Sequence, residues 1–113
     1  MKIFPYTSIE SKKADCCPSK VQIRQLITKY MGANNFTMRL FEIETEGNTP
    51  LHTHPWEHEV FILEGEGAVF NGEESFPFKT NDVVFVAPDE RHQFRNKGKT
   101  LLKFLCLIPY IKE

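Results

Sequence analysis

The sequence has no large excess of charge of either sign and no long apolar run. Its 14 Lys and Arg residues nearly balance 15 Asp and Glu residues, which leaves a formal charge of -1. A chain without a basic surface is a poor binder of nucleic acid. No stretch approaches the roughly 18 apolar residues of a membrane helix, and the first residues lack the apolar run of a signal peptide. We therefore expect a cytoplasmic protein that binds neither nucleic acid nor a membrane.

The sequence also has few cysteines. Cys16, Cys17 and Cys106 are an odd number without a C-x-x-C pair, which argues against a disulfide framework and a zinc ribbon. The adjacent pair is compatible with a redox or metal role, but two free thiols in a loop before Pro18 are the simpler interpretation. We find no pattern of a Ser-His-Asp triad, of paired catalytic carboxylates or of a Gly-rich phosphate loop. These absences leave the histidines as the main candidates for chemistry.

Short β-forming segments separated by turn residues run along most of the sequence. Asn71-Gly72 is a strong signal for a tight turn, and ten Phe can supply much of a small core. The pattern predicts an all-β sandwich or barrel that forms one domain at residues 21–113, preceded by a polar N-terminal arm at residues 1–20. We predict strands at residues 21–30, 36–44, 51–54, 59–63, 68–70, 76–79, 83–86, 92–95 and 100–108.

Three of the four histidines, His52, His54 and His58, lie within seven residues, and the fourth is His92. Strand alternation would place His52 and His54 on one face, and the bend at Pro55 would let His58 converge on the same point. A His-rich surface loop or an isolated core histidine is the alternative. Imidazoles at this spacing, on strands with apolar faces, favour a site for one divalent ion, with Mn, Fe, Ni, Cu and Zn as candidates.

The first histidine segment resembles the first motif of the cupin family, G-x5-H-x-H-x3,4-E-x6-G. His52 and His54 match the H-x-H, and Gly65 matches the closing glycine. His58 then stands where the family usually has Glu. The other alignment places Glu59 there, but it leaves only five residues before Gly65 and gives Glu59 the wrong strand parity. We prefer His58 as the ligand and expect Glu59 to point outward or to lie behind the ligands.

The second cupin motif, G-x5-P-x-G-x2-H-x3-N, is matched only in part. His92 and Asn96 fit, whereas Asn81, Ala87 and Asp89 replace the first Gly, the Pro and the second Gly. Asn and Asp are the non-glycine residues that best tolerate the left-handed conformation, so the substitutions are compatible with the same turns.

The resemblance covers roughly residues 36 to 108 and implies a small single-domain cupin with the double-stranded β-helix, or jelly-roll, fold. It is closest in pattern to a subgroup with a four-histidine site that often holds manganese. Cupins of this size commonly dimerise, so the resemblance also implies a homodimer, with the N-terminal arm and the Val21 strand as candidate contacts.

The alternation of the strands predicts an apolar pocket next to the histidines. Lys103 marks the outer face of the last strand, so the alternate residues should face inward. Arg39 shares parity with inward residues and either binds an anionic substrate or lies at the barrel edge. Cys106 is either a buried apolar residue or a thiol that affects or suffers oxidation, and Trp56 is a lid or packing residue. The predicted pocket residues are Arg39, Phe94, Phe104, Cys106 and Ile108.

Four neutral imidazoles would leave the full +2 charge of the ion inside the barrel. Such an ion is a strong electrophile toward anions and water. We predict an oxidoreductase, dioxygenase-like or peroxide-using, that acts on a small organic substrate. The alternatives are a Lewis-acid isomerase or lyase and a non-catalytic cupin that binds a small ligand. A closed structural zinc site fits less well, since such sites are usually rich in cysteine.

Overall fold

The computed structural model describes residues 1–14 and 20–110, and its regular elements are almost entirely β-strands. Two single-turn 3-10 helices, at Tyr6–Ser8 and Lys29–Met31, are the helical segments of this described part. No helix in it is long and apolar enough to cross a membrane. The strands are β1 (Lys12–Lys13), β2 (Val21–Ile27), β3 (Phe36–Ile43), β4 (His58–Glu64), β5 (Gly67–Phe70), β6 (Ser75–Phe78), β7 (Val83–Val86), β8 (Gln93–Asn96) and β9 (Leu102–Pro109).

The strands form two antiparallel sheets. One has six strands in the order β1-β2-β3-β9-β4-β7, and the other has three in the order β6-β5-β8. Strand β9 lies in the middle of the larger sheet, between β3 and β4. Its buried residues alternate with less buried ones, Leu102, Phe104 and Cys106 against Lys103 and Leu105, which is the pattern of a strand with one face on a core. The prediction of an all-β barrel is confirmed.

An aromatic and aliphatic core joins the two sheets. Phe104 on β9 is 1% exposed. Its ring stacks on Phe41 of β3 with the centroids 5.0 Å apart and contacts Phe94 of β8 at 4.8 Å. Burial of aromatic rings from both sheets supplies a large share of the stability of so small a barrel. The same three rings border the cavity at the histidines.

The strand predicted at residues 51–54 is wrong. His52 makes only an isolated bridge with His92, in which each backbone N–H donates to the other carbonyl, at 3.2 and 3.0 Å. Pro50 and Pro55 lack an N–H group and so interrupt any longer ladder on either side. His52 and His54 therefore reach the site from an irregular segment and not from the face of a strand. The predicted strand at 21–30 also ends early, at Ile27, where a 3-10 turn follows.

Two turns at the second motif adopt the left-handed conformation expected from the sequence. Asn81 has φ 76° and Asp89 has φ 65°. Asp82, next to Asn81, accepts a hydrogen bond from the Lys79 backbone N–H at 2.9 Å, which closes the turn before β7. The turn at Asp89 leads directly to His92, so it fixes where that ring enters the barrel.

The described part of the N-terminal segment lies against the larger sheet. Lys12 pairs with Ile23, and Lys13 pairs with Gln22, so that β1 extends the sheet at its edge. Ala14 packs against the core. The division into an arm at 1–20 and a barrel at 21–113 remains a prediction. Cys16 and Cys17 lie outside the described residues.

Candidate metal centre

Three histidines converge at one end of the barrel. The isolated bridge places His52 opposite His92, and His54 follows two residues later in the same irregular segment. Their possible ligand atoms lie within 4.8 Å of one another. The ring centroids of His52 are 4.3 Å from His54 and 4.8 Å from His92. This group is a possible metal site made entirely of imidazole.

His58, the first residue of β4, lies beside these three rings. Its ring centroid is 4.8 Å from that of His92 and 5.3 Å from that of His54. Its side chain belongs to the buried face of β4, whereas the next residue, Glu59, is exposed. Strand alternation explains this difference, since adjacent residues point to opposite faces. The geometry thus brings the His58 ring next to the group of three.

The backbone determines which nitrogen of His92 carries the proton. Nδ1 lies 2.9 Å from the carbonyl oxygen of Glu90, and a carbonyl oxygen can only accept. Nδ1 therefore donates, and Nε2 keeps its lone pair. That Nε2 atom is buried and has no hydrogen-bond partner. A metal-ligating histidine usually has this arrangement, with its second ring nitrogen held by a carbonyl or a carboxylate.

His58 shows the same arrangement with a different partner. Its Nδ1 lies 3.2 Å from Sγ of Cys106. Its Nε2 is buried without a partner, like that of His92. Buried polar atoms without partners are costly and require an explanation. A divalent ion at the group of His52, His54 and His92 would supply one for His92, so this three-histidine donor set fits such an ion.

The electrostatics of the site favour the neutral form of the His52, His54 and His58 rings. Burial is the main cause that lowers the pKa of His52 to about 4, and the neighbouring rings of His54 and His92 add to it. Burial lowers the pKa of His58 to about 3, with His92 and Arg39 as the next causes. The pKa of His54 is also lowered, again mainly by burial. Neutral imidazoles are the form that binds metal, so these rings do not need to lose a proton first.

A cavity of about 240 Å³ opens beside the rings, and all five predicted pocket residues, Arg39, Phe94, Phe104, Cys106 and Ile108, border it. Arg39 Nη2 donates to Cys106 Sγ at 3.2 Å, and its guanidinium lies over the Phe41 ring at 4.9 Å. The Nε atom of Arg39 is buried without a partner. The guanidinium of Arg39 therefore places a positive charge at the mainly apolar wall of this cavity.

Trp56, which we expected to be a lid or packing residue, is in direct contact with the site. Its ring stacks on His54 with the centroids 4.5 Å apart and the planes within 6°. It also borders the cavity, and its buried Nε1 has no hydrogen-bond partner. Its position within the histidine segment, directly after Pro55, was the available signal. Trp56 thus supports a ring of the site and presents a donor at the cavity.

The match to a known family runs through most of the barrel. The family model described as Cupin domain matches residues 39–108. The chain is a cupin. The jelly-roll expectation is confirmed by this match and by neighbours of the same fold.

Three known proteins that resemble this cupin have different names. The "Oxalate-binding protein" of Thermotoga maritima is 33% identical over 93 residues, which cover 79% of this chain and 75% of the relative. The "1-methylthio-D-xylulose 5-phosphate methylsulfurylase" of Rhodospirillum rubrum is 29% identical, and the match covers 86% of this chain and 62% of the relative. The structure of the polyketide cyclase RemF from Streptomyces resistomycificus has a TM-score of 0.89 at 26% identity and covers 96% of this chain and 79% of that one. The three names describe different functions on related chains.

Proposed function

We propose that this cupin binds one divalent metal ion through His52, His54, His58 and His92 and oxidises a small organic anion in the adjoining cavity. The single observation that carries the proposal is the pair of buried Nε2 atoms of His58 and His92. They have no hydrogen-bond partner, and the centroids of their two rings lie 4.8 Å apart. Four imidazoles are suited to manganese, iron, nickel, copper or zinc. Manganese is our first candidate, because the sequence resembles the four-histidine cupins that often hold it.

The charge of the cavity supports an anionic substrate. Arg39 borders it, and the described residues that line it include no Asp or Glu. With an ion bound by neutral ligands, the cavity would hold a metal charge of +2 beside the guanidinium. The proposed binding mode places a carboxylate or other oxyanion between the ion and Arg39. The relative named as an oxalate-binding protein is compatible with this substrate class.

The lining favours oxidation over acid-base chemistry. An isomerase or lyase needs an acid or a base beside the substrate, and apart from the four proposed ligand histidines and the thiol of Cys106 the described lining includes no Lys, Tyr, Asp or Glu. A bound manganese or iron ion would supply Lewis acidity and one-electron chemistry. The protein's contribution is to hold the anion at Arg39 and to exclude water with the rings of Phe94 and Phe104. The electrons go to an external oxidant, dioxygen or a peroxide.

Binding without turnover is the second candidate. It is favoured by the name of the Thermotoga maritima relative. It is also favoured by the lining, which needs no catalytic base to hold an anion. The two candidates share the metal site and the anion and differ only in the consumption of substrate.

Oxidant consumption separates the two candidates. Metal-stripped protein is loaded with Mn²⁺ or Fe²⁺, and dioxygen or peroxide consumption is followed with small carboxylates and phenols, beside an anaerobic control. The proposal expects substrate loss that requires the metal and the oxidant together. The matched control is Arg91→Ala, an exposed residue outside the cavity. Tight anion binding with no oxidant consumption would favour the second candidate, and the absence of bound metal would contradict both.

We also propose that this cupin works in the cytoplasm as a homodimer. The free thiol of Cys106 is compatible with a reducing compartment. Strand β1 pairs with only two residues of β2, so among the described residues most of this edge of the larger sheet has no partner strand. Unpaired sheet edges favour pairing with another chain. Light scattering of the purified protein tests the dimer, for which we expect twice the chain mass of 13.2 kDa. A monomer at micromolar concentration would contradict it.

A further inference from the structure

The rings of His58 and His92 are held from behind by partners of different chemistry. The Glu90 carbonyl behind His92 can only accept a hydrogen bond, so it allows one tautomer. The thiol of Cys106 behind His58 can donate or accept. Two tautomers of His58 are therefore open in principle, and only one of them leaves the Nε2 lone pair free for a metal ion.

Arg39 and the burial of His58 select between these tautomers. Arg39 Nη2 donates to the same sulfur at 3.2 Å, and a guanidinium has no acceptor. If the thiol donated to Nδ1, Nε2 of His58 would carry a proton and become a buried donor without an acceptor. That arrangement is costly. If Nδ1 donates to the sulfur, Nε2 keeps a lone pair that the proposed metal ion would satisfy, and the sulfur accepts from both neighbours.

We propose that Cys106 is a positioning residue for the metal centre, whose sulfur accepts hydrogen bonds from His58 and Arg39 and so holds the Nε2 lone pair of His58 toward the other rings. The inference rests on the proposed metal binding. The thiol does not itself bind the ion. It acts on His58 as the Glu90 carbonyl acts on His92.

The position of Cys106 fits this role. It is 3% exposed, on the face of β9 that otherwise carries Leu102, Phe104 and Ile108. A purely apolar residue there would pack well but would leave Nδ1 of His58 and Nη2 of Arg39 without this acceptor. The sulfur supplies weak acceptor capacity at little cost in burial.

Two substitutions separate positioning from packing. Cys106→Val keeps an apolar side chain of similar size but removes the acceptor, and Cys106→Ser keeps an acceptor but buries a hydroxyl. Metal affinity is measured with Co²⁺ or Mn²⁺ in competition with a chromophoric chelator, and thermal stability is measured on the same samples. Loss of a residue that orients a metal ligand typically costs 10- to 100-fold in affinity.

The proposal expects metal affinity to depend on the hydrogen-bond acceptor at position 106 and not on thermal stability. Cys106→Val should bind metal about tenfold more weakly, and it should also unfold at a lower temperature, because it leaves the buried Nδ1 of His58 and Nη2 of Arg39 without their acceptor. Cys106→Ser should keep affinity within about threefold while it unfolds at a lower temperature, since the acceptor remains. In a His58→Ala background, Cys106→Val should cause no further loss. Wild-type metal affinity in Cys106→Val, or equal losses of metal affinity in both variants, would overturn the proposal.

A measurement on the unsubstituted protein gives an independent check. Long-range ¹H–¹⁵N correlation of the metal-free protein reports which ring nitrogen of His58 carries the proton. We expect Nδ1, and a proton on Nε2 would overturn the positioning role. This experiment needs no bound metal, so it stands even if the protein binds none. A protein that binds no metal would contradict the proposed function. Metal affinity that is unchanged by substitution of Cys106 would contradict only the role proposed for Cys106.

Discussion

Two cavities meet at His92, and they differ in kind. The outer one, of about 380 Å³, lies between the edge strands β6 and β7 and is lined by residues that include Asp82, Glu90 and Arg91. The inner one, of about 240 Å³, is bordered by all four histidines. Within the described residues, the four buried side-chain nitrogens without a partner belong to Arg39, Trp56, His58 and His92, and all four of these residues border the inner cavity.

The acidic side chains of the outer cavity already accept hydrogen bonds within turns. Asp82 accepts the Lys79 backbone N–H and lies 3.3 Å from Lys79 Nζ. Glu90 accepts the Ala87 backbone N–H at 3.1 Å. The two cavities therefore differ more in their buried polar atoms without partners, which are costly to the fold, than in their volume.

The largest expected effect is a loss of stability when a buried ring that lines the inner cavity is removed. Phe104→Ala removes a buried ring that contacts Phe41 and Phe94. We expect it to lower the free energy of unfolding by about 3–5 kcal/mol, measured by urea denaturation. The control is Phe85→Ala at the outer cavity, which is 59% exposed and should cost far less. Similar losses for both would erase the distinction between the two regions.

The next effect is on metal binding. His92→Ala removes a buried ring whose Nε2 has no other partner. We expect at least about 100-fold weaker binding of Co²⁺ or Mn²⁺ by chelator competition, since a direct ligand should matter at least as much as the residue that orients it. Arg91→Ala, one residue away and exposed, should bind as the wild type does. Stoichiometric metal in the His92 variant would refute the site assignment.

The third effect is a pH dependence of the metal-free protein. The pKa values of His52 and His58 are lowered by burial to about 4 and about 3, whereas unfolded histidine titrates near 6.5. Between these values the unfolded chain binds more protons, so stability falls as the pH falls. We expect a slope of at most about 1.4 kcal/mol per pH unit for each ring between pH 6 and 4.5. His58, the more buried ring, should give the larger share.

Chemical denaturation across that range measures this slope. The variant His58→Asn should show a shallower slope than the wild type, because its unfolded state has one histidine fewer to protonate. Substitution of an exposed glutamate at the outer surface, such as Glu73→Gln, should leave the slope between pH 6 and 4.5 nearly unchanged. An unchanged slope in the His58 variant would contradict the account of the buried rings.

The smallest effect concerns anion binding. Arg39→Met keeps the length of the side chain and removes the only cation among the described lining residues of the inner cavity. We expect about tenfold weaker binding of oxalate or benzoate to the metal-loaded protein by calorimetry. Arg91→Met at the outer cavity is the matched control. Equal affinities in wild type and Arg39→Met would place the anion elsewhere.

The sequence was sufficient for the barrel and insufficient for the local geometry of the site. The alternation along β9 predicted that Phe104 lies on the buried face and Lys103 on the other, because only one face of the strand covers a core. Alternation failed at His52 and His54, where prolines interrupt the ladder and an isolated bridge positions the rings. The contact between Cys106 and His58 joins residues 48 positions apart and depends on the register of β4 against β9, which no local pattern encodes.

The central claim is that the inner cavity holds one divalent ion among imidazoles. The most direct test is metal analysis of the protein loaded with Mn²⁺, combined with pulsed electron paramagnetic resonance after labelling its histidines with ¹⁵N. The account predicts one ion per chain with ¹⁵N couplings from four imidazoles, including His58, whose coupling disappears in His58→Ala. An ion without histidine nitrogen couplings, or no stoichiometric binding, would contradict it.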